Sequence, residues 1–225
     1  MSVEPDSPAD WPAQSQPDAR PLSLFSLWLT IGPEPRETMR RILDVNPTYQ
    51  VVPLAMMYGI TRALIVAARR NLADTMTPLE LFGWIVVAGP LVAVVGIYGF
   101  SHVIRFYARW FGGQATPRQV RAAMVWGSSP TIWTLPIWLL QITLFGEMIF
   151  AAERPPEVLG GGWGAFYSGC EYGKAMLNIG AIYVALKCLG EAFGFSAWRA
   201  LFAVLLALVT LLLLMIPILA VLPLA

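Results

Sequence analysis

The side chains that most often carry chemistry are scarce in this chain. Among its 225 residues there is one histidine, His102, and there are two cysteines, Cys170 and Cys188. A lone histidine lacks the companion ligands of a metal site. On one helix the two cysteines would lie about 27 Å apart, whereas a disulfide needs Cα atoms within about 7 Å. Asp44 and Asp74 lie outside the long apolar stretches, so they form no intramembrane aspartyl pair. We therefore predict a protein that is not an enzyme, with no catalytic residue, no metal and no cofactor.

Charged residues do occur inside the long apolar stretches. Arg62 and Glu147 lie within them, Glu171 and Lys174 lie in the first turn of the fourth, and Glu80 begins the second. Because charge is costly in lipid, such residues are candidates for function. If the stretches cross a membrane in alternating directions, these charges lie at one depth below the outer surface. We predict an intramembrane polar cluster of Arg62, Glu147, Glu171 and Lys174, in which Arg62 pairs with Glu147. The alternative is that Arg62 and Lys174 extend separately to outer headgroups.

The elements that position these charges are membrane helices. Hydrophobic residues make up 57% of the chain and charged residues only 13%, against about 25% charged in soluble domains. A helix needs roughly 20 mostly apolar residues to cross a bilayer. Five stretches qualify: Val51 to Ala68, Leu81 to Ile104, about Ala122 to Phe150, about Tyr172 to Leu189, and Ala200 to Leu224. The predicted fold is all-α, a polytopic membrane helical bundle with five transmembrane helices.

The distribution of positive charge predicts the orientation of the bundle. Cytoplasmic loops carry an excess of Lys and Arg. One side carries ten such residues and the other only Arg69, Arg70 and Arg154; the ten are Arg20, Arg36, Arg40, Arg41, Arg105, Arg109, Arg118, Arg121, Lys187 and Arg199. The N-terminus is therefore predicted inside and the C-terminus outside. We expect the membrane to be the bacterial cytoplasmic (inner) membrane.

The region before the first span divides into two parts. Residues 1–20 are acidic and proline-rich, which predicts a disordered cytoplasmic tail. Residues 21–48 are predicted to form an interfacial amphipathic segment, followed by a membrane domain over 49–225. Within the segment, Met39 and Ile42 share one face of a short basic helix, which is typical of helices at the membrane surface.

This basic segment has two interpretations. It is either a simple topological anchor or a docking surface for a cytoplasmic partner. On the second interpretation the residues that contact the partner or lipid are Arg36, Arg40, Arg41, Arg105 and Arg109.

Other residues inside the spans predict contacts between helices. Gln141 and Asn178 can bridge helices, at about 1 kcal/mol each, and Gly180, Ala181 and Ala185 offer a small-residue packing face. Gly89-Pro90 and Ser129-Pro130 interrupt two spans. These interruptions predict either repaired kinks or the broken helices of transporter sites, and kinks are the favoured interpretation.

Short motifs around the first three spans resemble a known family. A Pro-x-x-Thr lead-in occupies Pro35 to Thr38, and a Gly-Gly-x-x-Thr loop occupies Gly112 to Thr116. An Ala-x-x-x-x-x-x-Pro stretch then ends at Pro130. Over roughly residues 33 to 222 the chain resembles the Yip domain family, the Ypt-interacting proteins, in its bacterial branch.

The resemblance implies five spans, a cytoplasmic N-terminus and no catalytic residues to transfer. Eukaryotic members resemble scaffolds that bind small GTPases and shape or sort membranes. Bacteria lack that trafficking machinery, so the GTPase partner does not carry over.

Two functions follow as expectations. The first is a non-enzymatic membrane-organising or partner-recruiting scaffold. The alternative is a small transporter, channel or lipid-handling protein that uses the outer polar cluster, and a water-filled cavity lined by Arg62 and Glu147 would favour it. The predicted partners are membrane lipids and other membrane or cytoplasmic proteins, with no nucleic acid; an oligomer is compatible with the sequence.

Overall fold

The computed structural model describes residues 23–153 and 160–221, with side chains as far as residue 214. These residues form helices and turns, with no strand among them. The predicted disordered tail, 1–20, lies outside the described residues. The helices are α1 (Leu24–Thr30), α2 (Pro35–Val45), α3 (Val51–Arg69), α4 (Pro78–Gly83), α5 (Gly89–Trp110), α6 (Pro117–Gly127), α7 (Ser129–Ile132), α8 (Leu135–Phe145), α9 (Gly161–Phe193) and α10 (Ala197–Val221).

Five helical segments within these residues are long and apolar enough to cross a membrane. They are Val51–Arg69, Pro78–Trp110, Pro117–Phe150, Gly161–Phe193 and Ala197–Leu214, which confirms the predicted five-span, all-α bundle. The three middle segments have 33 or 34 residues, or about 50 Å of helix. Because the hydrocarbon core is about 30 Å thick, their ends extend beyond it.

The second span accommodates a proline without breaking. Helices α4 and α5 are joined by a π-helical turn, Trp84–Ala88, and Pro90 is the second residue of α5. Proline lacks an N–H, and its ring crowds the carbonyl four residues earlier. A wider turn directly before the proline relieves this crowding, so the helix continues through Gly89-Pro90.

The third span is interrupted between α6 and α8, and hydroxyl groups repair the interruption. Pro130 cannot donate to the carbonyl of Trp126, but the Ser129 hydroxyl donates to that carbonyl at 2.6 Å. The carbonyl of Thr131 accepts both the Thr134 backbone N–H at 3.1 Å and the Thr134 hydroxyl at 2.7 Å. Freed backbone groups in lipid require such substitutes, so the predicted repair is present here.

A fully buried tryptophan belongs to the larger of the two apolar clusters among the described residues. Trp126 on α6 is 0% exposed, and its indole N–H donates to the carbonyl of Tyr49 at 3.1 Å. Residues from α2, α3, α5, α9 and α10 belong to the same cluster. A second cluster, around Trp138 and Phe145, packs further along the third span.

Helix α2 lies against the bundle, and its apolar face is covered by protein. Met39 and Ile42 are 0% exposed and belong to the main core cluster. Helix α2 packs on α9 and α6, and the Cys188 thiol donates to the carbonyl of Pro35 at 3.7 Å. The amphipathic pattern is therefore correct, but the apolar face contacts helices instead of lipid.

The two ends of the bundle are distinct. At the α2 end, α2 and the α5–α6 connection both meet the α9–α10 turn: Arg36 reaches the carbonyl of Phe195, and Gly113 lies against Phe193 and Phe195. At the Asp74 end, the Asp74 carboxylate accepts from the Ala152 N–H at 3.1 Å.

Close backbone approaches hold the spans together. A Cβ added to Gly59 on α3 would lie 2.5 Å from the carbonyl oxygen of Gly89 and 2.7 Å from the Cα of Pro90. One added to Gly127 on α6 would lie 2.5 Å from the Cα of Ala185 on α9. Small residues are the usual means by which membrane helices approach this closely.

The predicted small-residue face of the fourth span is therefore correct in part. Ala185 meets Gly127, and Ala181 is buried. A Cβ added to Gly180 would meet no described atom within 4 Å, so Gly180 does not contribute to this packing.

The Gly59 contact predicts a specific loss of stability. Gly59→Ala should lower the free energy of unfolding by about 1–3 kcal/mol, as overpacking does. Gly96→Ala is the matched control on α5, because no atom of the described residues lies within 4 Å of an added Cβ there. Thermal unfolding in mild detergent measures both; equal melting temperatures for the two variants would contradict the close approach.

Candidate functional site

A polar groove lies between α3 and α9, with α7 and α8 as its floor. The cavity has a volume of about 570 Å³. Helices α3 and α9 both pack on α6 and α7. The polar lining comes from Arg62 and Arg69 of α3, Ser128 and Thr131 of the third span, and Glu171, Lys174 and Asn178 of α9.

Lys174 is the buried charge of this groove. It is 4% exposed, and its ammonium lies 2.7 Å from a Glu171 carboxylate oxygen. It also donates to the Gln141 side-chain oxygen at 2.6 Å and lies 3.3 Å from the centre of the Trp138 ring. An ion, an amide and an aromatic face therefore compensate its desolvation.

Glu171 and Gln141 complete a small network. The Gln141 amide N–H donates to the same Glu171 oxygen at 3.2 Å, so the amide contacts both ions of the pair. Asn178 donates to the carbonyl of Lys174 at 2.7 Å and accepts from the Thr131 hydroxyl at 3.3 Å. The predicted bridging roles of Gln141 and Asn178 are present in the structure.

The predicted pair of Arg62 and Glu147 is not formed. Both side chains are exposed, and no ion pair joins them. Gly146, at φ +63°, ends α8, and the 3₁₀ turn Gly146–Phe150 buries Ile149 and Phe150 while Glu147 faces outward. Glu171 and Lys174 meet, Arg62 lines their groove, and Glu147 lies outside it.

Glu80 has a structural role at the start of the second span. Its carboxylate accepts from the Thr77 backbone N–H at 2.8 Å, and its own N–H donates to the Thr77 hydroxyl. This reciprocal capping box satisfies two free backbone donors of α4. Glu80 therefore does not join the groove.

At the α2 end, one carboxylate holds two arginines. The Arg40 Nε donates to Glu191 at 2.8 Å, and Arg36 lies 3.7 Å from the other Glu191 oxygen. The hydrogen bond from Arg40 to Glu191 raises the pKa of the Arg40 guanidinium above its ordinary value. Glu37 adds a contact to Arg40 at 3.4 Å.

The remaining predicted arginines lie at the same end with different surroundings. The Arg105 Nε donates to the carbonyl of Ala115 at 2.9 Å and stabilises the α5–α6 connection. Arg109 is exposed and lines a small polar cavity with Arg105 and that connection. The Nε of Arg41 is buried without a hydrogen-bond partner among the described residues.

Three contributors to these sites were not predicted from the sequence. Trp138 was absent from the predicted polar cluster, and Arg69 was assigned only to a loop. Glu191 was not singled out, although it is the one acidic residue after Glu171 in the sequence. A single acid among several arginines was the signal that could have identified it.

Most of the chain matches one known protein family. A family model described as the Yip1 domain matches residues 28–219. The chain belongs to the Yip1 domain family. Neither the curated proteins nor the solved structures contain a match to it.

The motif residues of this Yip1 domain have structural roles. Gly112, at φ +86°, follows α5, and Gly113 leaves no room for a Cβ beside Phe193. Thr116 caps α6 through a capping box with Gln119. The loop motif therefore fixes a tight connection between the second and third spans.

The polar network predicts energetic coupling between its two ions. In a double-mutant cycle, Lys174→Met and Glu171→Gln should be non-additive by about 0.5–3 kcal/mol, as expected for residues in contact. Unfolding of the single and double variants in detergent measures this. The control cycle, Arg62→Ala with Glu147→Gln, should be additive because those residues form no pair. Additivity in the first cycle, or coupling in the second, would contradict the arrangement.

Proposed function

We propose that this Yip1-domain protein is a non-enzymatic scaffold that recruits an acidic protein partner to its α2 end. On this proposal the α2 end faces the cytoplasm and the membrane is the bacterial inner membrane. The observation that carries the proposal is the segregation of charge between the two ends of the bundle.

Among the described residues, the α2 end is strongly basic. It carries Arg36, Arg40, Arg41, Arg105, Arg109, Arg118, Arg121, Lys187 and Arg199 against Glu34, Glu37, Asp44 and Glu191. The other half carries Arg62, Arg69, Arg70 and Lys174 against Asp74, Glu80, Glu147, Glu153 and Glu171. The excess of positive charge at the α2 end supports its cytoplasmic location and favours an acidic partner.

The basic surface is also held in a fixed shape. Glu191 ties α2 to the end of α9, and Arg105 closes the α5–α6 connection. Arg109 and Arg118 lie beside that connection, and Arg109 is exposed. A preorganised surface binds with less loss of conformational entropy than a flexible one, which suits recruitment.

One observation favours a second candidate, a transporter or lipid-handling protein. The groove between α3 and α9 places Arg62, Lys174 and Glu171 around one cavity. A cavity lined by both Arg62 and Glu147 would favour transport. Arg62 lines this groove, but Glu147 does not. The groove lies towards the Asp74 end, away from the surface proposed to recruit a partner.

Neutralising two arginines beside the α5–α6 connection tests the scaffold. Arg109→Gln with Arg118→Gln should release a near-stoichiometric acidic partner from the protein purified gently from native membranes, as measured by mass spectrometry. The control, Arg69→Gln with Arg70→Gln, removes equal charge at the opposite end and should retain the partner. Equal retention in both variants would contradict recruitment at the α2 end.

The proposed orientation predicts selective labelling. In a Cys170→Ala background, a cysteine at exposed Thr75 should react with a membrane-impermeant maleimide on intact spheroplasts, and one at exposed Gln114 only after lysis. Cys188 is fully buried and should contribute no background. The reverse pattern would place the α2 end outside.

A further inference from the structure

The groove between α3 and α9 has more positive than negative charge. Three cations line it, Arg62, Arg69 and Lys174, against one carboxylate, Glu171. Glu171 is already bound to Lys174 at 2.7 Å. The two arginines therefore give the lining a net positive charge that an anion could neutralise.

Neither arginine is satisfied by the described part of the protein. Arg62 and Arg69 are exposed and enter none of its ion pairs or side-chain hydrogen bonds. Arg62 follows the Gly59–Gly89 contact by one turn, so it lies inside the first span, about 10 Å along the axis from Arg69 at the helix end. A guanidinium at such a depth requires an anion or water.

One wall of the groove is apolar and continues onto the outer surface of the bundle. Ile179 and Ile182 of α9 line the cavity, yet they are 63% and 61% exposed. In a membrane that exposed surface is in contact with acyl chains. A ligand that satisfies both parts of the groove therefore has an anionic group and an apolar chain.

We propose that this groove binds an anionic phospholipid from the leaflet at the Asp74 end. Its phosphodiester contacts Arg62 and Arg69, whose planar guanidinium groups match phosphate oxygens. Its acyl chain lies along Ile179 and Ile182. The Lys174–Glu171–Gln141 network forms the inner wall and holds α9 against the third span. This site is independent of partner recruitment, because it lies away from the α2 end.

Lipid retention tests the site directly. The full-length protein is purified in detergent with equal amounts of phosphatidylglycerol and phosphatidylcholine, and native mass spectrometry counts the lipids that stay bound. We expect about tenfold more phosphatidylglycerol, which corresponds to about 1.4 kcal/mol. Arg62→Gln and Arg69→Gln should each lower its retention about tenfold on the same scale.

The control is Arg70→Gln, which removes the same charge from the adjacent residue. Arg70 is exposed and does not line the groove, so its variant should retain phosphatidylglycerol like the unaltered protein. Equal retention of the two lipids, or an equal loss in the Arg70 variant, would overturn the proposal. If Arg62→Gln does not fold, Arg69→Gln carries the test, because Arg69 is the exposed last residue of α3.

A soluble competitor distinguishes a lipid from a free phosphoester. Glycerophosphoglycerol carries the same phosphodiester without acyl chains. We expect it to leave bound phosphatidylglycerol in place at equal concentration; complete displacement would assign the groove to a soluble anion and overturn the lipid proposal. Retained phosphatidylglycerol with no protein partner on the unaltered protein would contradict recruitment and leave the lipid site standing.

Discussion

Lipid offers no hydrogen-bond partner, and this constraint governs the structure of the bundle. It requires every span to satisfy its own backbone groups, so the spans are helices. Where a proline removes a donor, another group takes its place: a π-helical turn precedes Pro90, and the Ser129 hydroxyl binds the carbonyl that Pro130 leaves free. The same constraint applies to side chains. Lys174 is buried with Glu171, Gln141 and the Trp138 ring around it, because an uncompensated ammonium would be costly at that position.

Two carboxylates organise the charges of the two ends. Glu171 holds Lys174 within α9 and, through Gln141, ties α9 to α8. Glu191, near the other end of α9, holds Arg36 and Arg40 of α2. One long helix thus connects the groove and the basic surface, with an ionic contact at each. Each contact joins a largely buried side chain to an exposed one: the side chains of Lys174 and Glu171 are 5% and 45% exposed, and those of Glu191 and Arg40 are 14% and 57% exposed.

The sequence predicts how deep each charged residue lies in the membrane better than it predicts the helix face on which that residue lies. Apolar length identified all five spans, and alternation of their directions brought the charges of α3 and α9 to one end of the bundle. The face on which each charge lies depends on helix rotation, which is fixed by contacts that periodicity does not reveal. Gly59 lies against Gly89 and Pro90, and Glu147 follows Gly146, whose positive φ ends α8. Glu171 and Lys174, which were predicted to lie in one cluster, do meet. The predicted pair of Arg62 and Glu147 was wrong, because the faces on which the two side chains lie could not be predicted.

The interruption of the third span connects its kinks with the groove. A straight helix over Pro117–Phe150 would continue along the line of α6, which lies against α9 where Gly127 meets Ala185. Beyond Gly127 the short helix α7 redirects the chain, and the cavity begins at this point, since Ser128 and Thr131 line it. The hydroxyl-repaired turns therefore preserve the span and also provide the space between α3 and α9. The repaired interruption and the floor of the groove are therefore neighbours in the chain: Ser129 and Thr134 donate to backbone carbonyls, and the adjacent Ser128 and Thr131 line the cavity.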